Sequence, residues 1–164
     1  MSVITISREL GSEGSYIARK TAQKLGYWLV DKKVIEGILG QYGLIHFNEE
    51  YESAPGIWER FDAARERTID MLNRVIRAVA HHGNVVILGR GSFAVLSGFA
   101  DVLNVRVQAP LALRVERVMK ERAMLDQDQA EALVKESDKV RQAFIQSWYG
   151  LRWDSACSFD LVID

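Results

Sequence analysis

The sequence predicts a three-layer α/β fold, a five-stranded parallel sheet with helices on both faces, and three observations lead to it. Short runs of β-branched residues alternate along the chain with longer stretches of helical period, the pattern of strand, crossover helix and strand. Val85 to Leu88 is apolar at every position, as a strand buried on both faces must be. The opening run, Val3 to Ile6, leads through a short loop holding Gly11 and Gly14 directly into an amphipathic helix. A loop of small residues ahead of a helix N-terminus lets backbone N–H groups close around an anion, and the helix dipole adds to the attraction.

Each element follows from local chemistry. The first strand ends at Ile6, bounded by Ser7, and the helix beyond the loop runs from about Ser15 to Leu25. It turns Ile17, Ala18, Thr21, Ala22 and Leu25 inward, and Arg19, Lys20, Gln23 and Lys24 outward. Tyr27 to Val30 forms the second strand, and Asp31 opens a helix to about Leu39 that Gly40 and Gly43 end. A polar, acidic connection from Leu44 to Gly56 precedes a long helix, Ile57 to about His82. Its inner stripe holds Ile57, Phe61, Ala64, Ile69, Leu72, Ile76 and Val79. Past Gly83 come the apolar central strand, the turn Gly89, Arg90, Gly91, Ser92 and a short helix near Phe93 to Leu96. Leu103 to Val107 is the fourth strand, and Pro110 begins a helix to about Met124. Asp126 caps a last helix to about Trp148, and Phe159 to Ile163 is the fifth strand.

At 164 residues, 48% hydrophobic and 26% charged, the chain suits one domain with a single sizeable core rather than two. It carries 21 basic against 22 acidic residues, so no global polycation invites nucleic acid and no polybasic segment suits an anionic membrane. The one cysteine, Cys157, excludes an internal disulfide and a cysteine metal cluster, and reads as a small buried filler in a reducing cytosol. No apolar run is long enough to span a bilayer, and the first strand starts almost at Met1, so a cytoplasmic location without a signal peptide is expected. Trp148, Tyr149, Trp153 and Phe159 read as a packed aromatic cluster, and His46, His81 and His82 lack metal-ligand spacing. The state of assembly is left open, a homodimer included.

The loop departs from two familiar glycine patterns. It lacks the G-x-G-x-x-G of dinucleotide sites, and Gly14 stands where the G-x-x-x-x-G-K-[ST] motif has its lysine. Gly11, Ser12, Glu13, Gly14, Ser15 and Tyr16 are the expected phosphate-side group, with main-chain N–H donors from Gly11 to Ser15. The Ser15 hydroxyl either sits on Mg²⁺ or caps the helix. Arg8 stands beside the loop as a catalytic cation or a solvated charge. Arg90, between two glycines after the central strand, lies where ligands of parallel sheets gather, and its guanidinium suits a bidentate grip on an acceptor phosphate. Asp31, at a comparable strand end and followed by Lys32, orients a magnesium-bound water or the acceptor, or caps the second helix. Glu13 repels phosphates by roughly a few kcal/mol if it points at them, and matters little if it faces solvent.

Nearly the whole chain resembles the cytidylate kinase-like group of P-loop nucleoside monophosphate kinases. Laying Gly14 on the motif's lysine puts Ser15 on its hydroxyl residue, aligns Ala18, Leu25 and Gly26 without a gap, and drops Asp31 on the aspartate after the second strand. The stretch VVILGRGSFAVL looks like the family's central strand and Gly-Arg turn, DVLNVRVQAPLALRVERV like the strand entering the lid, and SFDLVID like the closing strand. The resemblance implies a P-loop NTPase fold over residues 1–164, with a helical acceptor-binding insertion at residues 32–82 and a lid-like region at 114–141. It implies transfer of the ATP γ-phosphoryl group, with Mg²⁺, to CMP or a similar monophosphate. In such kinases lid arginines close over the transferring phosphate. The matching residues here are Arg114, Arg117 and Arg122, with Asp138 and Arg141 on the D-x-x-R pattern. Each has the plain alternative of a surface ion pair. The missing lysine leaves its charge to Arg8 or a lid arginine, and a lysine restored at position 14 is expected to raise ATP affinity. Two further functions stay in play, a nucleotide-binding regulator without turnover and a kinase of a small metabolite. Because the chain stops just after the fifth strand, where such kinases continue into another helix, a shortened or minimal form is expected.

Overall fold

The computed structural model describes residues 2–44 and 63–164. Its five strands are β1 Val3–Arg8, β2 Trp28–Val30, β3 Val85–Leu88, β4 Val102–Val107 and β5 Leu161–Ile163. They form one sheet in the order β2-β3-β1-β4-β5, with every pairing parallel. The helices are α1 Gly14–Leu25, α2 Lys32–Gln41, α3 Ala63–His82, α4 Ser92–Val95, α5 Leu111–Arg122 and α6 Gln127–Tyr149.

The central strand is β1. It pairs with β3 from Val3 and Val85 to Ile6 and Leu88, and with β4 from Val3 and Val102 to Arg8 and Val107. Because β4 continues beside it after β3 has ended, β1 runs on through Ser7 to Arg8, two residues past the expected stop. Arg8 therefore stands on the carboxyl edge of a strand held on one side to its last residue, beside the turn that follows β3.

Alternation along β3 fills two cores. Val85 and Ile87 pack with Leu39 of α2, Leu72 and Ile76 of α3, and Phe93 of α4. Val86 and Leu88 face Ala18 and Ala22 of α1, together with Val105 and Val107 of β4. Successive strand side chains point to opposite faces, so an all-apolar run serves both layers. Complete burial of each such valine, isoleucine or leucine contributes about 1.5–3 kcal/mol. A third, smaller cluster of Val115, Val118, Ala130 and Val134 joins α5 to α6, and Leu10 of the loop packs against it.

The α3 stripe is seen at Leu72, Ile76 and Val79, all buried, with Ile69 packed beside them. The connection beyond Leu44, His46, Ile57, Phe61 and the side chain of Ala64 lie outside the described residues. The aromatic cluster packs as expected: Trp153 is buried, and Trp148, Tyr149 and Phe159 pack against the larger core. Phe159 does so from ahead of β5, its ring centroid 4.7 Å from that of Phe93, so the strand begins two residues later than the sequence suggests. Cys157 corrects its reading as buried filler. It is exposed, on a 3-10 turn, Ala156–Ser158, that buries none of its residues.

A charge inside the sheet explains part of this packing. Arg106 of β4 is nearly fully buried, which is costly for an unpaired ion. Its Nη1 donates to the Trp153 carbonyl at 2.7 Å, its Nη2 donates to Glu9 Oε1 at 3.1 Å, and its Cζ lies 4.5 Å from the Trp153 ring centroid. Trp153 Nε1 in turn donates to Ser7 Oγ at 2.9 Å.

Candidate functional site

The loop from Glu9 to Glu13 is tied down on one side. Glu9 Oε2 accepts from the Ala109 N–H and lies 3.3 Å from Arg114 Nε, while its Oε1 faces Arg106. The Leu10 N–H donates to Asp138 Oδ1 at 3.1 Å, and Ser12 Oγ donates to the Glu9 carbonyl at 2.9 Å. Gly11 has φ +80°, and a Cβ added there would stand 2.5 Å from the Arg114 carbonyl oxygen. The backbone of α5 thus approaches the loop too closely for any side chain at position 11.

On the other side the loop presents main chain. Glu13, left-handed at φ 61°, occupies the cap position of α1 and offers no side-chain cap. The first helical bond runs from the Ile17 N–H to the Glu13 carbonyl at 3.0 Å, so the amides of Gly14, Ser15 and Tyr16 have no acceptor within the helix. Ser15 is therefore a first-turn residue, not the cap, and it is exposed along a cleft of about 1060 Å³. Tyr16, Arg8, Arg117 and Arg141 line the same cleft. The carboxylate of Glu13 stands 3.6 Å from Arg117 Nε, with more than half its side chain exposed.

A second pocket, of about 240 Å³, opens from the same region. Arg8, Lys32, Arg90, Arg122 and Arg141 line it together with Ser137. Arg8 and Arg141 border both cavities. Arg90 reaches the pocket through a bend in which Gly89, Arg90 and Gly91 have successive φ values of 74°, 56° and 71°. The middle residue pays the steric cost of a side chain in that conformation. Its guanidinium is 4% exposed and donates Nη2 to Glu36 Oε1 of α2 at 2.5 Å. Lys32 Nζ lies 3.8 Å from the same oxygen.

The expected lid residues divide. Arg114 is buried and lines neither cavity. It donates Nε to the Ala109 carbonyl at 2.9 Å, and Nη1 to Asp138 Oδ2 at 2.5 Å and to the Leu10 carbonyl at 3.3 Å. Arg117 faces the cleft and donates Nη1 to the Gly11 carbonyl at 3.3 Å. Arg141 pairs with Asp138 at 3.2 Å, the spacing expected of D-x-x-R, and also donates to Ser137 Oγ at 2.8 Å. Asp138 thereby links the loop, α5 and α6. Asp31 caps α2, its Oδ1 accepting from the Lys33 and Val34 N–H groups at 2.9 and 3.2 Å, and it lines neither cavity.

Three contributors were not singled out from sequence: Glu9, Glu36 and Ser137. Glu36 left one trace, its position four residues after Lys32 on a helix face. Glu9 left another, a carboxylate beside Arg8 for which the lone arginine of β4 is a natural partner.

Among the described residues no three His, Cys, Asp or Glu side chains group to hold a metal ion, and no helix is long and apolar enough to cross a membrane. A family model described as the cytidylate kinase-like family matches residues 3–164. A cytidylate kinase from Ignicoccus hospitalis is 29% identical over 167 residues, spanning 100% of this chain and 90% of that protein. Among solved structures, an uncharacterized protein from Eubacterium ventriosum aligns with a TM-score of 0.77 at 22% identity, over 99% of this chain and 87% of that one. Shikimate kinase from Bacteroides thetaiotaomicron aligns with a TM-score of 0.58 at 12% identity, over 99% and 85%. At those identities the likeness is one of fold.

Proposed function

The chain belongs to the cytidylate kinase-like family, and on that premise we propose that it transfers the γ-phosphoryl group of ATP to CMP or a similar nucleoside monophosphate. The observation that carries this reading is the pocket of five cationic side chains, Arg8, Lys32, Arg90, Arg122 and Arg141, adjoining a cleft bordered by uncapped helix amides. Cations in that number suit an acceptor that itself bears a phosphate.

Phosphoryl transfer asks for position and charge balance more than for covalent help. The amides of Gly14 to Tyr16, with the dipole of α1 behind them, receive the donor phosphates in the larger cleft. Arg90, held by Glu36, grips the acceptor phosphate, and Lys32 adds a second charge. An acceptor oxygen then bonds to the γ-phosphorus as the bond to the β,γ-bridging oxygen breaks, and ADP departs with that electron pair. A dianionic acceptor phosphate has no proton to lose, so no general base is required. Arg117, Arg122 and Arg141 of the lid-like region meet the charge spread over the transferring group. Mg²⁺ suits this donor set, because it draws most of its oxygen ligands from phosphates and water and needs one or two from protein. Ser15 Oγ would hold it, and the ion would neutralise charge on the β and γ phosphates.

The experiment is a coupled assay of ADP release over a panel of nucleoside monophosphates, with sugars and hydroxy acids as controls. Turnover on a pyrimidine monophosphate is expected. Gly14 in the lysine position favours one rival, a regulator that binds nucleotide without turnover, and ATP binding with no ADP release from any acceptor would establish it in place of the kinase. Turnover confined to the controls would mean a small-metabolite kinase.

A further inference from the structure

We propose that Arg8 takes the part of the missing loop lysine, entering the phosphate cleft from the end of β1 instead of from the start of α1. The inference rests on the donor reading of that cleft and assigns the residue that grips the nucleotide's terminal phosphates.

Two glycines outline the path of this side chain. A Cβ added at Gly14 would collide with Arg8 Cβ and stand 2.8 Å from its Cγ. A Cβ added at Gly89 would collide with Arg8 Nη1 and stand 3.2 Å from its Cζ. The stem of Arg8 thus lies across the first residue of α1, and its guanidinium reaches the bend after β3. Position 14 must lack a side chain for the stem of Arg8 to pass, and position 89 must lack one for its guanidinium to rest where it does. Positions 8 and 14 are sterically exclusive: a cation can enter this gap from the strand or from the helix, but not from both. That accounts for a glycine where the usual motif has lysine, and it leads to the opposite expectation for a lysine added at position 14, which should not simply strengthen ATP binding.

The other cations are less well placed for this task. Arg114 is engaged by Glu9 and Asp138 away from both cavities, while Arg117, Arg122 and Arg141 arrive on α5 and α6. Arg8 alone among them stands on the central strand, beside the α1 amides, and it borders both the donor cleft and the cationic pocket. A planar guanidinium there can bridge a γ-phosphoryl oxygen and an acceptor oxygen, which a point-like ammonium does less well.

The test uses the full chain and four variants: Arg8→Gln, Arg8→Lys, Gly14→Lys and the double variant Arg8→Gly with Gly14→Lys, glycine being needed because the clash at position 14 is with the Cβ of residue 8. Binding of ATP is read by calorimetry, kcat and KM by ADP release, and folding by thermal unfolding. Arg8→Gln keeps most of the stem against Gly14 and removes only the charge. It is expected to fold, to bind ATP about tenfold more weakly, and to lose about 100-fold or more in kcat/KM. Arg8→Lys should restore part of that loss. Gly14→Lys alone should lower both the unfolding temperature and ATP affinity, because Arg8 occupies the space. In the double variant the lysine enters the vacated gap, and kcat/KM should recover at least about tenfold over Arg8→Gln.

Wild-type affinity and turnover in a folded Arg8→Gln would overturn the proposal, as would tighter ATP binding by Gly14→Lys with Arg8 in place. If the wild type binds ATP but phosphorylates nothing, the kinase reading fails while the Arg8 assignment is still decided by the affinity of Arg8→Gln. If the wild type does not bind ATP, both fall.

Discussion

Arg90 combines backbone strain with a nearly buried charge, and Glu36 is the partner that holds its head group. Replacing Arg90 with Ala should raise the acceptor KM about tenfold to 100-fold, the equivalent of one charged hydrogen bond, and leave ATP affinity within about twofold. Calorimetry with each ligand separately checks the asymmetry, and equal weakening of both would contradict an acceptor-side role. Glu36→Gln keeps the shape but loses the charge. We expect it to raise the same KM by less and to leave the ATP dissociation constant unchanged. That Arg90 lines a pocket was legible in the sequence, because an arginine between glycines directly after an apolar strand stands at the strand's carboxyl end. Glu36 was not, because its partner lies across the fold and no spacing along the chain encodes that meeting.

The element that decides the shape of the cleft is α5. It touches the loop where Gly11 lacks a side chain and where Arg114 ties the Ala109 and Leu10 carbonyls to Asp138. Gly11→Ala combines a left-handed backbone with a clash against main chain, so a loss of about 1–3 kcal/mol in unfolding free energy is expected by denaturant titration. Asp138→Ala removes the closest carboxylate of the buried Arg114 but leaves Glu9 3.3 Å from its Nε, and should cost about 1–3 kcal/mol. If that variant unfolds like the wild type, the tie from Arg114 to Asp138 does not hold the loop to the helices. The sequence placed Arg114 and Arg117 together on one helix face, and three-residue spacing supports that. It did not reveal that one is buried as an anchor while the other lines the cleft, since the difference depends on Glu9 and Asp138 arriving from other elements. The D-x-x-R pair was readable because both partners lie on one helix, one turn apart.

Over the whole molecule, alternating strands and helices and one uniformly apolar strand sufficed to anticipate the parallel sheet and its two covered faces. What they did not supply was the run of β1 through Arg8, which follows from pairing with β4 and not from the β-branched run itself. Ile87, fully buried in β3, tests that centre: Ile87→Ala should destabilise the fold by about 2–5 kcal/mol. Chemical denaturation reads the loss, and a change below about 1 kcal/mol would be out of keeping with a packed centre.

The linkage from Trp153 through Arg106 to Glu9 has a practical corollary. One of four tryptophans abuts a guanidinium that also donates to Glu9 at the start of the glycine loop, so the protein carries its own optical gauge of that loop. Excited near 295 nm, the indole at position 153 should brighten or dim when ATP arrives, while a Trp153→Phe protein that still binds the nucleotide should lose that component of the signal.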